Sequence, residues 1–253
     1  MSDQTKSIDE VAGFLRTGKS VLFVTGAGLS ADSGMPTYRG VGGLYEDIEV
    51  EDGLPIEAIL SGEMLERRPE LTWRYLEQIA EACRGCTFNR GHEVIAAMET
   101  RLDRVWTLTQ NVDGFHRAAG STNVIDIHGD LRELMCTTCG WRHHADEVEE
   151  LEIPPRCPSC DAIVRPDVVL FGEMLPMDKV ARLEAELLRG YDVVFSVGTS
   201  SLFPYIVEPV LLAARVGRPT VEINPGRTSI SGMVSVHLQM PAAAALDAVW
   251  SAM

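Results

Sequence analysis

Several things are scarce in this sequence. Its 253 residues carry a formal net charge of −15, and lysine occurs only at Lys6, Lys19 and Lys179. A surface this acidic repels phosphate backbones and anionic headgroups, which argues against nucleic acid and membranes as direct partners and favours basic peptides. No apolar run approaches the roughly 18 residues that a membrane-spanning helix needs. The first ten residues, M-S-D-Q-T-K-S-I-D-E, lack the basic region and apolar stretch of a signal peptide. A cytoplasmic location is therefore expected. In a reducing compartment, the six cysteines point to metal or redox chemistry and not to a disulfide framework. Aromatic residues are sparse, and there is neither an internal repeat nor a low-complexity tract.

What is present is an alternation of apolar runs and amphipathic stretches. Ser7 and Glu10 fit a capping box that opens a helix to about Arg16. Val21–Thr25 reads as a buried strand, and Gly26-Ala27-Gly28-Leu29-Ser30 follows at once. A strand running into a glycine turn is how a dinucleotide-binding unit begins, although no third glycine stands at the usual offset. Asp32, Ser33, Tyr38 and Arg39 extend the polar segment and suggest a loop that wraps a ligand. Residues 40–88 show no strand pattern; Leu54-Pro55-Ile56 and Pro69 start helices, giving a helical insert beside that loop. Helices are expected over Asn89–Thr100, Met177–Arg189, Pro204–Ala214 and from about Ala242. Further strands are expected at Val105–Leu108, Val124–Ile127, Asp167–Phe171, Tyr191–Val197, Pro219–Ile223 and Val234–Leu238. Alternating strands and helices imply an α/β fold with a parallel sheet and right-handed crossovers. Gly26, Gln110, His128, Gly198 and Asn224 would then line up along one carboxyl edge, where open α/β sheets bind ligands.

Two groups of residues carry chemistry. Thr109-Gln110-Asn111-Val112-Asp113-Gly114 and Ile127-His128-Gly129 bring two amides, a carboxylate and an imidazole to neighbouring strand ends. Asn111 and Asp113 equally suit capping of the helix that follows them. Cys136-Thr-Thr-Cys139 and Cys157-Pro-Ser-Cys160 form two C-x-x-C knuckles separated by 17 residues. Four thiolates close a tetrahedral zinc shell and leave no position for water, so a structural ion is expected; His143 or His144 offers a substitute ligand. Cys83 and Cys86 form a third C-x-x-C at a helix end, with no partner pair.

These motifs, in this order, resemble those of the sirtuins, NAD-dependent protein lysine deacylases, over nearly the whole chain. G-A-G-L-S-A-D-S-G-M-P-T-Y-R-G at Gly26–Gly40 is similar to their nucleotide loop, T-Q-N-V-D-G to their catalytic amide motif, and I-H-G to the segment with their catalytic histidine. R-P-D-V-V-L-F-G-E at Arg165–Glu173 is similar to their substrate strand and loop, while G-T-S-S at Gly198 and I-N-P-G at Ile223 are similar to further NAD contacts.

The resemblance implies a Rossmann-like parallel sheet with helices on both faces (residues 1–40, 88–130 and 165–253), a helical module (41–87) and a zinc module (131–164). It implies NAD as co-substrate and one structural zinc on Cys136, Cys139, Cys157 and Cys160. Acyl-lysine proteins or peptides would be the partners, and a monomer is expected. The implied cofactor contacts are Gly26, Ala27, Gly28, Ser30, Pro36, Tyr38, Arg39, Gln110, Asn111, Asp113, His128, Gly198, Thr199, Ser200, Asn224, Pro225, Gly226 and Ala242. Tyr75, Gln78, Val169, Phe171, Gly172 and Glu173 would bind substrate, the last two through backbone pairing with an extended peptide beside Ser201–Phe203.

In the implied reaction the acyl oxygen attacks the nicotinamide ribose, held in place in a dry site. Gln110 and Asn111 would orient the ribose, and Asp113 the nicotinamide amide. His128 would take a proton from a ribose hydroxyl. The same scaffold also suits an ADP-ribosyltransferase or NAD hydrolase, or a non-catalytic NAD sensor. The intact Phe171-Gly172-Glu173 loop favours deacylation, and the presence of both Asn111 and His128 favours catalysis.

Two departures bear on substrate choice. Tyr38 stands where the family more often has phenylalanine. A bacterial subgroup that removes succinyl and malonyl groups carries Tyr-x-x-Arg on the helical module; here Tyr75 matches, but Gln78 replaces the arginine. An acidic acyl group thus lacks a charge-assisted partner, although Gly53 leaves room for a wide pocket. Acetyl-peptide kcat/KM is expected to exceed the succinyl-peptide value, and a succinyl preference would overturn this.

Overall fold

In the computed structural model, residues 3–36, 53–145 and 152–253 are described. Ten helices and nine strands lie within them. Six strands form one parallel sheet: β1 (Ser20–Thr25), β2 (Arg104–Thr109), β3 (Val124–Asp126), β7 (Val193–Val197), β8 (Thr220–Ile223) and β9 (Val236–Leu238), in the order β3-β2-β1-β7-β8-β9. Strand order reverses between β1 and β7, which pair in parallel from Val21↔Val193 to Thr25↔Val197. That reversal opens a crevice at the carboxyl edge.

Both faces of the sheet are covered, which explains why β1 reads as a continuous apolar run and not as an alternation. Val21 and Phe23 point to one face and pack with Val11 and Leu15 of α1 (Asp3–Thr17), Val94, Ile95 and Met98 of α6 (Arg90–Arg101), and Leu246 and Val249 of α10 (Ala242–Ala252). Leu22 and Val24 point to the other, against Leu183 of α8 (Met177–Arg189) and Ile206 and Val210 of α9 (Pro204–Arg215).

A second sheet has three antiparallel strands in the order β5-β4-β6: β4 (Gly129–Cys136), β5 (Arg142–His144) and β6 (Val164–Val168). Here the structure departs from the strand expected at Asp167–Phe171. The strand starts three residues earlier and joins the small sheet. As an edge strand, β6 tolerates Pro166, which has no N–H for a ladder on both sides. The chain passes between the sheets at His128–Gly129. Gly129 has φ +91°, and a Cβ there would collide with the Asp167 carbonyl of β6.

The region between residues 53 and 88 is helical, as the absent strand pattern implies: α3 (Ile56–Ile59), α4 (Gly62–Arg67) and α5 (Pro69–Cys83). Helix α4 was not expected; its signal is Ser61, whose hydroxyl accepts the Met64 N–H at 3.1 Å. Helix α1 begins at Asp3, so Ser7 lies inside it and donates back to the Asp3 carbonyl instead of capping. The helices pack with the small sheet in one core. Ile59, Leu71 and Leu76 join Leu134, Val164 and Leu170 there, and Trp73 Nε1 donates to the Val164 carbonyl at 2.9 Å.

Beneath the crevice lie two buried histidines, His92 of α6 and His116 of α7 (Phe115–Ala118), with ring centroids 4.9 Å apart. His92 Nδ1 accepts the Asn89 N–H in a capping box, and His116 Nε2 pairs with the Thr25 hydroxyl at 3.0 Å. Burial pulls His92 down to about 4 and His116, also close to His92, to about 3, from 6.5. Because both folded values lie below the unfolded one, the unfolded chain takes up protons first as pH falls. Stability is full above pH 6.5 and is lost on acidification by up to about 1.4 kcal/mol per pH unit per histidine. The melting temperature is expected to fall between pH 6.5 and 5, above the main carboxylate range, and His116→Gln to make that slope shallower.

Candidate active site

The exits of β1, β2, β3, β7 and β8 meet at the crevice, and their polar side chains bind one another. Asn111 Nδ2 donates to the Gly26 carbonyl at 3.1 Å and to Ser30 Oγ at 3.0 Å. Ser30 Oγ donates to Asp113 Oδ2 at 2.6 Å, while Asp113 Oδ1 accepts the Phe115 N–H at 2.9 Å. Gly114 is the N-cap of α7, and Asp113, one residue before it, holds the first helical N–H with one oxygen while its other oxygen faces the cluster. Burial raises the Asp113 carboxyl above its ordinary value of 3.8, against the hydrogen bonds from Ser30 and Phe115. Gln110 Nε2 donates to Thr199 Oγ1 at 2.8 Å, and Asn224 Nδ2 to the Thr199 carbonyl at 3.1 Å.

Gly26 and Gly28 are required by the protein's own packing. A Cβ on Gly28 would lie 2.7 Å from Gly198 Cα, and one on Gly26 would lie 2.8 Å from Thr199 Cβ. Gly28 N–H donates to the Gly198 carbonyl at 2.8 Å. The glycine turn thus serves close contact of two strand exits, and α2 (Ala27–Ala31), which follows it, is five residues long. Asp32 and Ser33, read as part of a ligand-wrapping loop, are tied elsewhere. Asp32 accepts the Ala243 N–H at 2.8 Å, and Ser33 accepts from Asn89 at 2.9 Å.

Of the remaining residues implied for the cofactor, Ser200, Pro225 and Gly226 are exposed, Ala27 and Pro36 are half-buried, and Ala242, the first residue of α10, is buried in the core. Tyr38 and Arg39 lie outside the described residues. Ser201 adopts φ +54°, a strained value for a residue with a side chain, at the same edge.

His128 stands in the turn that follows β3, with both ring nitrogens engaged. Nδ1 lies 3.1 Å from the Gln110 carbonyl oxygen and Nε2 lies 2.7 Å from the Tyr205 hydroxyl. Burial lowers its pKa below 6.5; the Gln110 contact works upward and the Lys179 charge downward. The imidazole is neutral at pH 7 and able to accept a proton. Sequence reasoning missed Tyr205, because one tyrosine after Pro204 at a helix start has no spacing signal of its own.

On the substrate side, Phe171 forms a parallel bridge to Ser61, with Phe171 N–H donating to the Leu60 carbonyl at 2.9 Å. Gly172 has φ +81°. The Glu173 side chain is committed to the protein: Arg165 reaches its two oxygens at 2.5 and 2.9 Å, and Leu170 N–H donates to it at 2.8 Å. Val169 N–H donates to the His128 carbonyl at 2.9 Å, which ties the segment after β6 to the backbone of His128. Tyr75 is buried in the core shared with the small sheet, and Gln78 is exposed on the same helix.

The cysteines converge as expected. All four Sγ atoms lie within 4.8 Å of one another, with Cys136–Cys160 and Cys139–Cys157 at 3.5 Å. Zinc–sulfur bonds of about 2.3 Å give a tetrahedral edge near ~3.8 Å, so the thiols fit that ion. His143 and His144 sit on β5, outside the cluster. Cys83 and Cys86 are free thiols spanning a turn, and burial pushes Cys83 up to about 11.

The family model described as Sir2 family matches residues 26–204. The chain belongs to the Sir2 family. NAD-dependent protein deacylase 2 of Pseudomonas aeruginosa is 50% identical over 240 residues, covering 93% of each chain. A protein of the same description from Pseudomonas syringae pv. tomato is 50% identical over 237 residues, covering 92% of this chain and 95% of that one. Among solved structures, a Sir2 homologue mutant in complex with ADP-ribose matches with TM-score 0.84 at 31% identity, covering 100% of this chain and 96% of that one. A Sir2 homologue–NAD complex matches with TM-score 0.83 at 31% identity, covering 96% and 92%. The Rossmann-like architecture and the cysteine cluster are thus those of a Sir2 fold.

Because the cysteines also line the core shared with α3–α5, the metal supports more than its own knuckles. Cys136→Ala is expected to abolish bound zinc and lower the melting temperature by about 10 °C or more. Metal analysis and calorimetry test this; unchanged zinc content and stability would contradict it.

Proposed function

We propose that this chain is an NAD-dependent protein lysine deacylase that transfers an acyl group from lysine to ADP-ribose and releases nicotinamide, with one water consumed. The observation that carries this reading is the neutral His128 beside the Gln110–Asn111–Asp113 cluster, at the switch point of a Sir2-family sheet. The names of the relatives and the peptide and NAD complexes of other Sir2 proteins support it.

The donor set suits the co-substrate. It is made of amides and hydroxyls, and its one carboxylate is buried. NAD supplies an electrophilic ribose carbon and a nicotinamide leaving group. Asn111 and Gln110 orient the ribose hydroxyls and keep competing water away. Asp113, held by Ser30, accepts from the nicotinamide amide. His128 accepts a ribose proton, and the neutral charge that burial gives it suits that task. The strand exits Gly198–Ser200 and Asn224–Gly226 hold the rest of the dinucleotide. Val169 and Phe171–Glu173 offer backbone to an extended acyl-lysine peptide, and Tyr75 with Gln78 bounds its acyl end.

We also propose the division into Rossmann-like, helical and zinc modules, a monomeric state and a cytoplasmic location. One chain supplies every group of the proposed site, and no helix among the described residues is long and apolar enough to cross a membrane.

Incubation with acetyl-lysine peptide, with and without NAD, tests the reading by nicotinamide release and peptide mass. Nicotinamide release that does not depend on peptide would favour an NAD hydrolase instead. His128→Ala is expected to lower deacylation by about 10²–10⁴-fold with little change in melting temperature. The acid limb of kcat/KM is expected below pH 6.5, since His128 titrates below its ordinary value.

A further inference from the structure

The Gln110 carbonyl can only accept, so its 3.1 Å contact places the ring hydrogen of neutral His128 on Nδ1. The lone pair is then on Nε2, the atom that must act as base. That lone pair is already in use. The Tyr205 hydroxyl is 2.7 Å from Nε2 and must be the donor, since neutral Nε2 can only accept.

Tyr205 is held in this position. It is half-buried in the first turn of α9, directly after Pro204. Its ring stacks on Phe203 with centroids 5.6 Å apart and planes 17° apart. His128 meets both rings edge-on, at 6.0 Å from Tyr205 and 6.1 Å from Phe203. Among the described residues Nε2 is the hydroxyl's one hydrogen-bond partner, which leaves lone pairs on the phenol oxygen to accept from a ligand. Burial raises the phenol above its ordinary value of 10, so it keeps its hydrogen at neutral pH. From α8 the charged group facing the imidazole is Lys179, itself paired with Asp126 at 2.9 Å.

We propose that Tyr205 is a catalytic residue that relays the ribose proton to His128. The relay rests on His128 being the base of the deacylation reaction. In the step, the ribose O–H bond breaks and its proton goes to the Tyr205 oxygen. The Tyr205 O–H bond breaks and its proton goes to Nε2. The electron pair left on the ribose oxygen forms the C–O bond to the acyl carbon of the protonated imidate, and the C=N π bond breaks, its pair moving onto the lysine nitrogen. Tyrosine ends neutral, histidine ends as imidazolium, and the positive charge leaves the acyl centre, so atoms and charge balance.

Tyr205→Phe removes the hydroxyl and keeps the ring stack. It is expected to lower kcat for deacylation about 10–100-fold, with KM for NAD and peptide nearly unchanged. Peptide-dependent nicotinamide exchange, which precedes the proton transfer, should persist in this variant. In the protein without ligands, the ¹⁵N resonance of His128 Nε2 should move toward that of a free imine nitrogen when the hydroxyl is removed. Two results would overturn the relay while leaving the base in place: wild-type kcat in Tyr205→Phe alongside an inactive His128→Ala, or an unmoved Nε2 resonance. An active His128→Ala would instead remove the base itself, and the relay with it.

Discussion

The exits of β1 and β7 touch backbone to backbone, and the order of the crevice follows from that contact. Gly28 donates to the Gly198 carbonyl at 2.8 Å in a space that admits no side chain on either residue. The approach brings Thr199 beside Gly26 and within reach of both Gln110 and Asn224. Gln110, fixed by its side chain to Thr199 and by its N–H to the Thr25 carbonyl, presents its own carbonyl to His128. A steric constraint at two glycines thus decides which nitrogen of an imidazole carries the proton. Neither glycine needs to touch a ligand to have this effect.

The polar groups at the edge are bound to one another. Ser30 links the Asn111 amide to the Asp113 carboxylate, and Asp113 holds the start of α7. Such an arrangement loses little order when a substrate arrives, because rotamers are already fixed by neighbouring hydrogen bonds. The Asn111, Ser30 and Asp113 side chains are each satisfied by a neighbour, which offsets the cost of burying them.

Much of this was legible in the sequence, and the remainder has physical reasons. The parallel strands were visible as apolar runs because both faces of the sheet are covered. Helix α8 spans Met177–Arg189, the range that its amphipathic spacing implies. The zinc knuckles were visible because metal geometry dictates ligand spacing. The strand at Val164–Val168 was displaced because its pairing with β4 is long-range, and nothing local marks which sheet a strand joins. Glu173 was read for its backbone, and the bracing of its own loop by its side chain through Arg165 had no signal in the sequence. Tyr205 was invisible for the same reason: its hydroxyl meets a residue 77 positions away, and no local pattern encodes such an encounter.

The core that joins α3–α5 to the cysteine-bearing sheet has a thermodynamic meaning. Tyr75 and Leu76 bury themselves against the same cluster as Cys136 and Cys157, and Trp73 is hydrogen-bonded to β6. Two regions that are separate along the chain therefore melt as one cooperative unit. Free energy released when four thiolates take up a metal ion is distributed into the helices that carry Tyr75 and Gln78. Loss of the metal from the knuckles would therefore be felt as a lower stability of α5 as well as of the small sheet.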